Sequence, residues 1–328
     1  MMRAAEEVKL GMDEVDGLKA VLIYGPTASG KSALALELAR EFGGVIVNAD
    51  SMQVYAELRV VTNRPSPQEE AAAPHRLYGI RPMAEPYSAA LWLADVNSVL
   101  AEAAQKGWLP ILAGGTGLYF KALTEGLSEI PEIPAAIRAH YRLAAQTRPA
   151  DELHAELQRR DAQTAARLRP TDPQRIVRAL EVIEATGLPL ASWQGRKQPP
   201  LLPLSQTCPI AVTLERGELY RRCDARFEVM LAGGALEEAR AIAPLGLDPA
   251  LPAMRAVGLP QLLAYVRGET VLDEAAAAAK MATRQYAKRQ LTWVRGNFCE
   301  WNSYDAQLLE RTKRDLKIFV ENRLTLRF

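Results

Sequence analysis

The chain has 328 residues, of which 48% are apolar, and its 40 lysines and arginines against 39 acids leave a net charge of +1. That length suits one large domain or a core with a sizeable insertion, and the near-neutral balance excludes a uniformly charged surface while leaving room for local basic faces. Three cysteines without C-x-x-C spacing and three scattered histidines argue against a disulfide framework or a zinc site.

The acidic start, MMRAAEEVKLGMDEVDG, has no apolar signal core, and no window approaches the roughly 18 apolar residues of a membrane span. The expectation is a cytoplasmic protein with no membrane partner. Residues 19–24, KAVLIY, read as a buried strand that feeds the stretch GPTASGKS. Its residues Gly25, Pro26, Thr27, Ala28, Ser29, Gly30, Lys31 and Ser32 fit G-x-x-x-x-G-K-[ST], a phosphate-binding loop. A helix over KSALALELAREFG follows, stopped by Gly43. In such a loop the backbone N–H groups approach phosphate oxygens, Lys31 reaches the terminal phosphates and Ser32 can hold Mg²⁺.

A second apolar run, GVIVNAD, completes a βαβ pattern and places Asp50 at the same carboxyl edge as the loop. Asp50 fits either a metal shell or a base aimed at a nucleophile. The turn DSMQVY collects a carboxylate, a hydroxyl, an amide and a phenol, a set suited to a nucleobase edge and equally to an Asp-Ser helix cap. A proline-rich connector over 63–87 leads to a helix beginning near Ser88, then to the buried strand LPILAGG and the turn GTGLYF. Thr116 stands at that strand's end, facing the cleft or capping the next helix. An ATPase or GTPase wants an Asp at the end of such a strand, and here there are glycines.

From about 126 to 205 the strand pattern gives way to charged helices broken by proline, an insertion hinged near 125 and 205. The strand pattern returns at CPIAVTLE, and the chain closes with helices, a short run NFCEWNS and a basic C-terminal helix. The reading is α/β: a P-loop core with a parallel sheet over 19–125 and 206–328, and a mostly helical domain over 126–205. Six arginines lie between Arg159 and Arg178 against Asp161 and Asp172, and residues 275–299 hold five basic residues and no acid. On KMATRQYAKRQLTWVRG, Arg284, Lys288 and Arg295 share one helical face, with Tyr286 and Trp293 opposite. The basic side suits a polyanion and the aromatic side a core.

Five ordered blocks resemble the tRNA dimethylallyltransferases, also called tRNA isopentenyltransferases: GPTASGKS, DSMQVY, GGTGLY, DPQRIVRALEV and RQYAKRQLTWVR. The resemblance implies a P-loop NTPase-like fold whose loop holds dimethylallyl diphosphate. The acceptor it implies is N6 of the adenosine 3′ of the anticodon, in a tRNA anticodon stem-loop. By the same resemblance Asp50 is the general base, Thr116 lines the channel, and Lys31 and Arg222 hold the diphosphate with Mg²⁺ near Ser32. Contacts to tRNA fall to Asp50, Ser51, Met52, Gln53, Thr116, Arg138, the run Gln174, Arg175, Ile176, Val177 and Arg178, and Arg284 and Lys288. Family members are generally monomers.

The chain departs from the family pattern at Asn63-Arg64, where Ala-Lys is usual, at Arg76-Leu77-Tyr78-Gly79, and at Leu259-Pro260-Gln261. Two other readings compete: a P-loop small-molecule or nucleoside kinase with the insertion as lid, and an RNA-binding protein that uses a nucleotide loop as a switch.

Overall fold

A computed structural model describes residues 18–306, 314 and 317–322. The acidic N-terminal segment and most of the expected C-terminal basic helix lie outside the described residues. The chain divides into two units, one running to Thr124 and resuming at Leu201, the other Glu125–Pro200. The first unit resumes ahead of the 206 suggested by the strand pattern, because Leu202 is buried in its core.

The first unit is built on six parallel strands: β1 Ala20–Tyr24, β2 Gly44–Asn48, β3 His75–Arg76, β4 Leu109–Gly114, β5 Thr207–Thr213 and β6 Asn302–Asp305, in the order β3-β2-β4-β1-β5-β6. All five residues of β1 are buried, as a strand covered on both faces requires, and its unbroken apolar run is the corresponding sequence signal. β4, not β2, lies beside β1, with Val21 opposite Ile111 and Tyr24 opposite Gly114. The helices of this unit are α1 Lys31–Phe42, α2 Pro67–Ala72, α3 Ala89–Lys106 and α4 Gly117–Glu125. Gly43 ends α1 at φ 61°, a left-handed stop open to glycine. Ser88 caps α3 by accepting from Leu91 N–H. Inside the proline-rich connector, Ser66 and Glu69 form a capping box that starts α2.

The second unit holds α5 Ala135–Thr147, α6 Ala150–Arg160, α7 Ala162–Ala165, α8 Pro173–Thr186 and α9 Leu190–Gln194, with a small core of its own that includes Tyr141, Leu153, Leu157, Ile176 and Leu180. After β5 the first unit adds α10 Arg216–Met230, α11 Leu236–Ile242, α12 Leu259–Val266 and the long α13 Leu272–Asn297. Among the described residues none of the three cysteines forms a disulfide, and no helix is long and apolar enough to cross a membrane.

Candidate active site

Because every strand is parallel, the loops that follow β1, β2 and β4 emerge at one edge of the sheet. They carry the phosphate loop, Asp50 and Thr116. Gly25 N–H donates to Gly114 O at 3.3 Å, and Thr116 N–H donates to Ala49 O at 3.2 Å, so the three loops are laced together. Gly114 is obligatory here: a Cβ would lie 2.0 Å from the Ala49 carbonyl oxygen.

The phosphate loop turns through Ala28 at φ 64° and Gly30 at φ 90° into α1. Ser29 is buried, and its Oγ has no partner among the described residues. It fills the space behind Gly25, whose Cβ would lie 2.7 Å from it. Thr27 N–H is already taken by Gln290 at 2.9 Å. Lys31 Nζ donates only weakly, to Pro26 O at 3.4 Å. Burial pushes its ammonium down to about 8, against the opposing pull of the Asp50 carboxylate, with Arg226 adding to the depression.

Asp50 lies just beyond β2. The buried Asn48 fixes it: Asn48 Oδ1 accepts from Asp50 N–H at 2.8 Å, and its amide donates to Asp50 O at 2.9 Å and to Leu77 O at 3.0 Å. Asp50 Oδ1 accepts from Met52 N–H at 2.9 Å, an Asx turn with no helix after it, so the helix-cap alternative falls away. Oδ2 has no hydrogen bond among the described residues, and no ion pair joins Asp50 to Lys31. The Asp50 charge, after burial, also raises the phenols of Tyr24, Tyr78, Tyr119 and Tyr286 above their ordinary range, which keeps all four neutral. Thr116 does not cap α4 with its side chain: its hydroxyl accepts from Ser51 N–H at 2.9 Å and donates to Ser51 Oγ at 3.2 Å.

Several sequence expectations change here. Arg222 is bound by Glu218 one turn earlier on α10, at 2.6 Å, and the cation that acts on Lys31 is Arg226, one turn later on the same face. Burial lowers the Arg226 guanidinium, and no carboxylate pairs with it among the described residues. Arg284 is held by both oxygens of Asp224, at 2.7 and 2.8 Å, so it braces α13 against α10 instead of presenting a free cation. Lys288 is exposed. Tyr286, read as a core residue, lies among the groups around Asp50 and Thr116. The Gln53 amide donates to Thr62 O and Asn63 O, which removes its donors from base recognition, and Tyr55 is fully buried. Met52 packs partly buried on the core, while Ser51 is held by Thr116.

In the second unit Ile176 is a core residue and Val177 packs against it, so neither side chain is free for a ligand. Gln174, Arg175 and Arg138 are exposed; Arg175 pairs with Asp172 at 3.5 Å and Arg178 with Glu181 at 3.5 Å. Arg64 donates to Tyr55 O and Ala56 O and occupies the space above Gly79, whose Cβ would lie 2.2 Å from Arg64 Nη1. The guanidinium and the missing side chain at 79 are thus complementary departures. A cleft of about 590 Å³ among Lys19, Trp108, Leu109 and Pro110 lies at the opposite, amino edge of the sheet. Sequence reading missed Arg226, Asn48 and Gln290. For Gln290 a signal existed: a polar residue on the face of α13 that also carries Tyr286 and Trp293.

Ser32 is exposed in the first turn of α1, with no side-chain hydrogen bond among the described residues, and no group of three His, Cys, Asp or Glu gathers there. That donor set fits Mg²⁺, which keeps waters and binds mainly through substrate phosphates.

Two family models match the chain: IPP transferase over residues 53–297 and isopentenyl transferase over residues 18–86. A tRNA dimethylallyltransferase of Bradyrhizobium sp. (strain ORS 278) is 54% identical over 300 residues, covering 92% of this chain and 97% of that one. One of Methylocella silvestris is 56% identical over 276 residues, 84% and 91% of the two chains. The crystal structure of the full-length tRNA isopentenylpyrophosphate transferase of Bacillus halodurans superposes with a TM-score of 0.67 at 30% identity, over 93% of this chain and 96% of that one. A eukaryotic dimethylallyltransferase acting on tRNA shares the fold with a TM-score of 0.77 at 24% identity, covering 93% and 80%.

Proposed function

The chain belongs to the tRNA dimethylallyltransferase family, and on that premise we propose that it transfers a dimethylallyl group from dimethylallyl diphosphate to N6 of the adenosine 3′ of the anticodon in tRNA, releasing diphosphate. The observation that carries the assignment to these residues is that the Asp50 turn and the phosphate loop emerge at one edge of the parallel sheet, where the Asp50 carboxylate acts on the buried Lys31 ammonium and no ion pair closes between them. That leaves a gap between a base and a phosphate loop, which is where an amine and a diphosphate ester would meet.

In the reaction the N6 nitrogen attacks the allylic C1, the C1–O bond breaks, and the electron pair leaves with diphosphate. Negative charge grows on the leaving group, so Lys31, Arg226 and the free amides at the start of α1 stabilise the transition state. Mg²⁺, when bound at Ser32, would neutralise part of the same charge. An exocyclic amine is a weak nucleophile, and Asp50 Oδ2 takes its proton as the N–C bond forms while Oδ1 stays anchored on Met52. The adenine must leave its stack to reach this edge of the sheet. Arg138, Gln174, Arg175 and Lys288, all exposed, are the side chains proposed for the tRNA backbone.

The kinase reading loses support from β4, which lies beside β1 and ends in Gly114 where a metal-holding Asp would stand. The test is incubation with labelled dimethylallyl diphosphate, Mg²⁺ and unmodified tRNA. Label is expected on the RNA; its absence with every tRNA pool tried, or ATP turnover that depends on a small acceptor, would overturn the proposal.

A further inference from the structure

Gln290 is 4% exposed in the middle of α13, and it is bonded in three directions. Its Oε1 accepts from Thr27 N–H at 2.9 Å and its Nε2 donates to Gly115 O at 2.9 Å, while its main-chain carbonyl accepts from the Tyr24 hydroxyl at 3.2 Å. The orientation of the side-chain amide is set by Thr27 and Gly115. Turning it over would oppose two donors at Thr27 and two acceptors at Gly115. The fit is close on the Gly115 side as well, since a Cβ there would lie 2.1 Å from Nε2.

We propose that Gln290 is a positioning residue for group transfer: one amide fixes the phosphate loop and the Gly115–Thr116 loop at a set separation, and so holds the leaving group in register with the base. The inference rests on the reading under Proposed function. Thr27 N–H is withdrawn from anion binding, which leaves the cradle to the amides at the start of α1. Thr116 follows Gly115 directly and binds Ser51, the neighbour of Asp50, so the same amide reaches the base through one loop. No part of Gln290 needs to touch a substrate for this, because small misplacements of reacting groups are enough to slow transfer.

Two substitutions separate the two bonds. Gln290→Ala removes both; Gln290→Glu keeps an acceptor for Thr27 and sets a carboxylate against the Gly115 carbonyl. Calorimetry with inorganic diphosphate on the full chain is expected to give about tenfold weaker binding for Gln290→Ala, a shift of about 1.4 kcal/mol, and a Kd within about threefold of the parent for Gln290→Glu. In the transfer assay Gln290→Glu is expected to lose about tenfold in kcat with little change in KM for the donor.

An unchanged diphosphate Kd in Gln290→Ala overturns the proposal whatever happens to Tm, and an unchanged kcat in Gln290→Glu overturns the link to the Thr116 loop. Should Gln290→Ala fail to fold, Gly115→Ala displaces the amide from the other side and is expected to lower kcat as Gln290→Glu does; parental kcat there counts against the proposal. If the parent protein transfers nothing to tRNA, the activity assignment fails on its own, and the diphosphate Kd values still decide whether Gln290 sets the loop.

Discussion

Lys31 and Arg226 meet at the phosphate loop as two cations, each depressed by burial, and neither is paired with a carboxylate among the described residues. Two unpaired, half-buried charges of one sign are unfavourable to the fold and suited to an anion that arrives with more than one negative charge. Arg222 shares the helical face but is neutralised by Glu218 at 2.6 Å. Arg226→Gln is therefore expected to weaken inorganic diphosphate binding about 10- to 100-fold, the range of a hydrogen bond to a charged group. Arg222→Gln should change it by no more than about threefold, as expected of an exposed pair. The reverse ranking, read by calorimetry, would return the role to Arg222.

The Lys31 ammonium, pushed down to about 8, gives this site a pH dependence. In the free protein the charge is lost as pH rises through about 8, so kcat/KM for dimethylallyl diphosphate should fall on the alkaline side with an apparent pKa near that value. Stability moves the other way. The folded pKa of about 8 lies below the ordinary 10.5, so between those values the unfolded chain holds more of the proton and stability rises with pH. Lys31→Met, which removes the buried charge, should raise Tm at pH 7 while abolishing diphosphate binding; a lower Tm would show that the ammonium stabilises the fold.

Asp50 offers one free carboxylate oxygen and one that is anchored on Met52. Asp50→Asn preserves the anchor and the shape but removes the proton acceptor. Single-turnover transfer is expected to fall by about 10²- to 10⁴-fold, the usual contribution of a positioned base, with tRNA affinity within about threefold. Parental single-turnover rates in Asp50→Asn would remove it from the base role.

Arg284 and Lys288 lie one turn apart on α13 and should behave differently. Arg284 is bound to Asp224, so Arg284→Ala is expected to cost about 0.5–1 kcal/mol of stability, measured by denaturant unfolding, with a minor effect on tRNA. Lys288 is exposed, so Lys288→Ala should leave Tm unchanged and reduce the slope of log K for tRNA against log salt by about 1. Equal salt slopes for Lys288→Ala and the parent would take Lys288 out of the RNA interface.

Local patterns carried a great deal. The unbroken apolar runs of β1, β2 and β4, the glycine loop between β1 and α1, Gly43 as a stop and Ser88 as a cap are all short-range consequences of residue type, and the structure places each where the pattern pointed. So does the side of the sheet on which Asp50 and Thr116 emerge, because parallel strands joined by helices put all such loops at one edge. The order of the strands was not legible: β4 entering between β1 and β2 is a matter of long-range pairing.

Helical periodicity states which residues share a face and leaves open what that face meets. On α10 it puts Arg222 and Arg226 together; Glu218 binding the first, and the fold bringing Lys31 to the second, distinguished them. On α13 it puts Tyr286, Gln290 and Trp293 together as an apparent core face, and the packing of that face over the strand ends made Tyr286 a neighbour of Asp50 and Gln290 the bond between two loops. In the motif DPQRIVR the same blindness ran the other way, since burial turned Ile176 into core. The chemistry of this chain, a phosphate loop with a carboxylate at the same edge, was written in local sequence. Which cation, which amide and which phenol stand beside it depended on contacts between residues far apart in the chain, and those exist only once the helices have packed against the sheet.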